Sequence, residues 1–291
     1  MPVVLGALVF MCSFPGITVT AGPLNEKLRT LEDVPREYWS VLAKKRIIFA
    51  HQSVGDNILD GVKDVMKDHD FIHLNIVETP DLVVPRQPVL AHWRAGVNGK
   101  PFSKLAAFAN ALEQKSIADV DIALVKLCFV DITQDSDVDS IFQAYADTME
   151  QLKKKHPHIE FIHVTVPLCS VRTGLKWDLK QRIRRVLGRS TVIDDNDRRQ
   201  RYNQLLRGKF TDAGSFFDLA LVESTNGHGR KCFAERSGET VPILCPEHSA
   251  DGGHLNALGR RQAAEQLLIT LAQAAYRQDH QLPISAPLPP R

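Results

Sequence analysis

Arg46-Ile47-Ile48-Phe49-Ala50-His51-Gln52-Ser53-Val54-Gly55 is the stretch that decides the fold. It opens as a short apolar run with β-branched side chains, the pattern of a buried strand. From Val54 to Lys67 the apolar residues switch to helical spacing, at Val54, Ile58, Leu59, Val62, Val65 and Met66. A strand that runs straight into an amphipathic helix is the opening of a βα unit. Ser53 stands at the junction. In parallel sheets that edge is where ligands bind, and a helix N-terminus there favours developing negative charge.

The alternation continues along the chain. Phe71 to Val77 reads as a second strand and Phe102 to Gln114 as a helix. Val120 to Cys128 is an almost continuous apolar strand, as expected for a sheet covered on both faces. Asp137 is placed to cap a helix running to Lys155. Glu160 to Leu168 and Ser215 to Leu219 read as further strands, and Leu255 to Tyr276 as the closing helix. The order predicts an α/β fold: a three-layer α/β/α sandwich with a mostly parallel, flavodoxin-like five-stranded sheet. This domain spans residues 46–278. Residues 22–45 form a lead-in with a short helix around Arg36 to Lys44. Residues 279–291, with four prolines and no apolar period, are expected to be a disordered tail.

Composition narrows the function classes. The 291 residues are 44% hydrophobic and 24% charged, an ordinary globular balance. A net charge of +2 gives no case for a nucleic-acid partner. No apolar run is long enough for stable membrane insertion. Val3 to Phe14 is nearly all apolar, ends in Pro15-Gly16, and is followed by Val19-Thr20-Ala21. Residues 1–21 therefore read as a signal peptide without a basic n-region, and the protein as exported to a periplasmic or extracellular space. Four cysteines follow. Cys232 and Cys245 flank a short polar loop, where a bridge would brace the segment after it; Cys128 and Cys169 read equally as buried thiols or a second bridge.

That segment is Asp251-Gly252-Gly253-His254-Leu255-Asn256. Asp and His three residues apart, just before a helix, can share one loop. The carboxylate can then fix the imidazole tautomer, and the imidazole can take a proton from a serine supplied elsewhere in the fold. Ser53, Asp251 and His254 are the candidate catalytic residues.

Together these residues resemble the SGNH (GDSL-like) hydrolase superfamily, in ordered blocks from about Arg46 to Ala275. His51-Gln52-Ser53-Val54-Gly55 matches the nucleophile block, with Gln52 where the family usually has Asp. Gly96-Val97-Asn98-Gly99-Lys100-Pro101 resembles Gly-x-Ser-Gly-x-Thr, which implies that the Gly99 N–H binds an oxyanion. Asp251 and His254 match Asp-x-x-His, and Leu255-Asn256-Ala257-Leu258-Gly259 resembles the family's continuation. One block departs. Leu127-Cys128-Phe129-Val130-Asp131 places Val130 where the family's oxyanion asparagine stands, and valine donates no hydrogen bond. Asn57 and Asn98 are candidate substitutes; Asp131 would serve only if protonated. The resemblance implies a serine esterase that removes an O-acyl group from a carbohydrate or lipid, with no cofactor and no metal. The alternatives are a non-catalytic module that binds an acylated polymer, and an O-acyltransferase.

Blander readings stand beside these. Ser53 and Asp251 can each be simple helix caps. Cys245, His248, Asp251 and His254, with Glu247 and His228, offer a zinc-type donor set without a recognised spacing. The basic run Lys176 to Arg189, with Trp177 inside it, is a solvated face or an anion-steering patch. His51 lines the cleft or is hydrogen-bonded structure. Arg198, Arg199, Tyr202 and Asn203 share one helix and pack beside the sheet. Asp218 supports the catalytic loop or caps a strand.

Overall fold

The computed structural model describes residues 18–24, 28–117, 119–171, 190–210, 216–236 and 238–282. Nine strands fall within them: β1 Thr18–Leu24, β2 Arg46–His51, β3 Ile76–Glu78, β4 Val89–Arg94, β5 Ile122–Val125, β6 Glu160–Val164, β7 Phe216–Phe217, β8 Arg230–Arg236 and β9 Glu239–Pro242. The described α-helices are α1 Arg36–Leu42, α2 Ser53–Asp68, α3 Pro101–Leu112, α4 Val138–Lys155, α5 Val192–Phe210, α6 Leu219–Glu223 and α7 Ala257–Asp279.

Six strands form one sheet in the order β3-β4-β2-β5-β6-β7, and every pairing in it is parallel. Period-two alternation divides its side chains. Ile47, Phe49, Ile122 and Leu124 face one core with α1, α2 and α7; Ile48, Ala50, Ala123 and Val125 face the other with α3, α4 and α5. Each buried Ile, Leu, Val or Phe among them is worth about 1.5–3 kcal/mol over an exposed one. This is the expected three-layer α/β/α sandwich, with β2 near the centre. The chain leaves β2 for β3 and β4 on one side and returns to β5 on the other. That reversal places a crevice at the carboxyl end of β2, where Ser53 lies.

The strand count is corrected from five to six. Val89–Arg94 was not anticipated as a strand, and it inserts between β3 and β2. It is buried except at Arg94, but His92 and Arg94 break its apolar pattern. His92 is accommodated because a second buried histidine, His51, meets it from β2. The expected strand at Phe71 to Val77 begins only at Ile76.

A second, antiparallel sheet β1-β8-β9 stands apart. The Cys232–Cys245 disulfide ties its strand β8 to the segment that follows β9, with Cα atoms 5.4 Å apart. Cys128 and Cys169 are free, the first buried and the second partly so. The apolar run Val3 to Phe14, the basic run Lys176 to Arg189, and the tail beyond residue 282 lie outside the described residues. Thr18–Leu24 pairs with β8, so cleavage placed at Val19 to Ala21 would cut through β1. No helix among the described residues is long and apolar enough to cross a membrane.

Candidate active site

Ser53 is the first residue of α2, and its neighbour Gln52 is extended (φ −142°). Gln52 fixes this corner by donating its side-chain amide to Ala95 O at 3.0 Å and Gly96 O at 3.1 Å. Gly55 is required one turn in, because a Cβ there would stand 2.3 Å from the His51 ring. His51 is therefore packed under the helix start.

The histidine loop is held by its own polar atoms. Ser249 Oγ donates to His254 O at 2.6 Å and accepts from Gly252 N–H at 2.9 Å. Asp251 Oδ1 accepts from the N–H groups of Gly253 and His254, both at 2.8 Å. Ser170 N–H donates to Gly252 O at 2.8 Å, and Leu255 N–H to Asn57 Oδ1 at 3.1 Å. Asn256 then caps α7 by accepting from Leu258 and Gly259 N–H. Just upstream, the disulfide ties the residue before the Pro246–His248 turn to β8.

The structure brings Ser53 from α2 against the Asp251–His254 pair of this loop. Ser53 Oγ lies 3.1 Å from His254 Nε2, and His254 Nδ1 lies 2.7 Å from Asp251 Oδ2. Burial alone would raise the Asp251 carboxyl. The N–H groups of His254 and Gly253, with the imidazole itself, outweigh it and hold the carboxyl well below the usual carboxylate range. An acceptor-only carboxylate on Nδ1 puts the ring hydrogen there and leaves Nε2 as the acceptor facing Ser53. The Phe129 ring stands edge-on to the imidazole, centroids 5.9 Å apart. The His254 and Asp251 side chains are 44% and 57% exposed, so the relay sits on an open edge rather than in a closed pocket. A cavity of about 460 Å³ opens elsewhere, between α5, α6 and the β8–β9 hairpin, and none of the three residues lines it.

The residues assigned to the oxyanion side fare differently. Gly99 has the positive φ (+78°) that favours glycine. Its N–H, however, is donated to Asp131 Oδ1 at 2.8 Å and does not face an incoming carbonyl unopposed. Asp131 Oδ2 accepts from Cys128 N–H at 2.6 Å and Lys104 Nζ at 2.5 Å, so both carboxylate oxygens act as acceptors. Asn57 belongs to the histidine side, where its side-chain oxygen anchors Leu255. His51 is 1% exposed and cannot line a cleft. It contacts Gln52 O and His92 Nδ1, each at 3.1 Å, and burial lowers its pKa to about 3. Asn98 remains exposed, in the loop beside Gln52.

The zinc-type set does not assemble, because Cys245 is consumed by the disulfide and Asp251 is spent on His254. Among the described residues, His51, Asp56 and His92 place candidate ligand atoms within 4.8 Å of one another. The two histidines already bond each other, and Asp56 is paired with Arg94 at 3.0 Å. Asp218 caps α6 and pairs with Arg207 at 2.6 Å, so its carboxylate is committed to that helix start. Arg199 bears on the site unexpectedly: it is buried and donates to the carbonyls of Phe129 and Ile132, which fixes the Phe129–Asp131 turn. Lys104 was also missed, since one lysine in an apolar helix carries no signal of burial.

No family model matches the chain, and no curated protein matches it. Several solved structures are similar. A protein provisionally described as a platelet activating factor from Streptococcus pneumonia is 15% identical with a TM-score of 0.43, over 75% of this chain and 92% of its own. A provisionally assigned lipolytic protein of the G-D-S-L family from Desulfitobacterium hafniense DCB-2 is 9% identical with a TM-score of 0.39, over 78% and 99%. The CTD of the Drosophila Oskar protein is 15% identical with a TM-score of 0.38, over 76% and 86%. At these values the likenesses only name what the fold is similar to; the site's chemistry is read from its own geometry.

Proposed function

We propose that this chain is a serine ester hydrolase that works through an acyl-Ser53 intermediate. The observation that carries the reading is the unbroken relay from Ser53 Oγ through His254 to Asp251, at 3.1 and 2.7 Å. In the first step Ser53 Oγ bonds to the ester carbonyl carbon, and its proton passes to His254 Nε2. Collapse of the tetrahedral intermediate breaks the bond to the alcohol oxygen, which takes that proton. Water, deprotonated by the same imidazole, then releases the acid. The Ser53 N–H, in the first turn of α2, has no intrahelical acceptor and stands beside the reacting carbon.

Two features favour a particular kind of substrate. An open site admits an ester carried on a bulky glycan or a lipid surface. Val97, Phe102 and Val130 are 53%, 54% and 39% exposed in the segments beside Gly99 and Phe129, which supports an apolar acyl group. The disulfide supports export, since such bonds persist in oxidising compartments. A second reading is favoured by Val130 and the engaged Gly99 N–H: a module that binds acyl groups and turns them over weakly. Acyl transfer to a sugar hydroxyl would use the same intermediate.

A panel of p-nitrophenyl esters of rising chain length tests this. The expected result is turnover that rises from acetate to medium chains and vanishes in Ser53→Ala. Equal residual rates in wild type and Ser53→Ala would end the hydrolase reading. Faster ester loss on adding acceptor sugars, with acylated sugar as product, would favour transfer.

A further inference from the structure

The wall opposite the histidine loop has lost two donors, one to valine and one to Asp131, yet it is heavily built. Lys104 is 1% exposed and its ammonium bonds two groups, Asp131 Oδ2 and Asn98 Oδ1, the latter at 2.9 Å. An ammonium can only donate, so the Asn98 atom facing it must be the oxygen. The amide nitrogen of Asn98 therefore points the other way. Asn98 is exposed, and no acceptor within the described residues takes its amide hydrogens. Its loop is pinned beside the nucleophile, because Gln52 holds Ala95 O and Gly96 O. The same loop is tied through Gly99 and Asp131 to the turn whose Phe129 meets the His254 ring. Burying an ammonium is costly unless it is paired; here the pair also fixes which face of one exposed amide looks outward.

We propose that the Asn98 side-chain amide is the oxyanion donor in this protein, and that Lys104 with Asp131 is the positioning pair that aims it. The inference rests on the acyl-transfer reading above and names the group that completes it. As Ser53 bonds to the carbonyl carbon, the π pair moves onto oxygen, and an Asn98 Nδ2–H hydrogen bond strengthens with that charge. No proton leaves Asn98. The serine proton goes to His254, so the step balances without any other reactant.

The test compares Asn98→Ala, Asn98→Asp and Asn98→Ala/Val130→Asn on one p-nitrophenyl ester. Removing an oxyanion donor costs about 10²–10³ in kcat with KM little changed. Asn98→Asp keeps an oxygen for Lys104 but offers no N–H, so a donor role predicts a loss at least as large, whereas a purely structural role predicts wild-type rates. An asparagine at 130 should recover tenfold or more of the Asn98→Ala loss. Lys104→Met should slow wild type but add little to Asn98→Ala. Wild-type kcat within threefold in both Asn98 variants, while Ser53→Ala is inactive, would overturn this inference alone. Absence of turnover by wild type would overturn it together with the hydrolase reading.

Discussion

The two walls of the Ser53 crevice are built in opposite ways. The histidine loop, from Ser249 to Asn256, presents its chemistry through side chains, and each is held by neighbours in the same short segment. The facing wall, from residues 96–99 and the Phe129–Asp131 turn, spends its polar groups on itself. Gly99 N–H, Asp131 and Lys104 satisfy one another below the surface. In the proposed reaction the general-base side is thus complete as it stands, whereas the charge-stabilising side would depend on one exposed amide and the start of α2. A site of this kind gains its nucleophile from local sequence and its electrostatics from packing.

The comparison can be broken at its strongest point. Asp251→Asn would leave the loop's shape near native but free Nδ1 from its acceptor, allowing the wrong imidazole tautomer. The expected loss in kcat is about 10³–10⁴, measured on the ester that wild type turns over best. A loss under tenfold would mean that the carboxylate only caps the loop through the N–H groups of Gly253 and His254.

The contrast explains what the sequence made readable. Ser53, Asp251 and His254 were legible because their chemistry belongs to side chains and their spacing matched a strand–helix junction and a helix-capping loop. Asn57 was misplaced because nothing in a helical Asn tells which wall it faces. Gly99 misled for a deeper reason: its N–H is a backbone group, and its availability depends on Asp131, 32 residues away. β4 was hidden by His92, whose burial makes sense only once His51 is seen to meet it.

A smaller effect concerns the brace behind the histidine loop. Cys232→Ser/Cys245→Ser should cost about 3 kcal/mol, as expected for a short closed loop. Thermal melting would show it as a lower Tm. Because the loop carries its own hydrogen bonds, kcat at 25 °C should stay within about threefold. A far larger loss of kcat in folded protein would show that the bridge, not Ser249 and Asp251, sets the histidine.

The change expected to matter least for turnover bears on pH-dependent stability. Glu223 is buried, accepts from Leu168 N–H through Oε2, and leaves Oε1 unpartnered. Burial raises its pKa from an ordinary 4.5 to about 8. Its folded form holds a proton that the unfolded chain releases, so its contribution is full below 4.5 and is lost as pH rises through 8. Buried His51 and His163 act from the other side: both fall from 6.5 to about 3, so stability drains as pH falls below 6.5 toward 3. Glu223→Gln should flatten the alkaline decline in Tm and leave the acid limb unchanged. An unaltered alkaline decline would place its origin elsewhere.

The most direct test of the account is the intact mass of the folded protein after exposure to a fluorophosphonate. A single adduct on Ser53, absent in Ser53→Ala and formed far more slowly in His254→Asn, is the predicted result. A folded wild type that takes no adduct, or one that is equally labelled when Ser53 is replaced, would contradict the claim that His254 activates this serine.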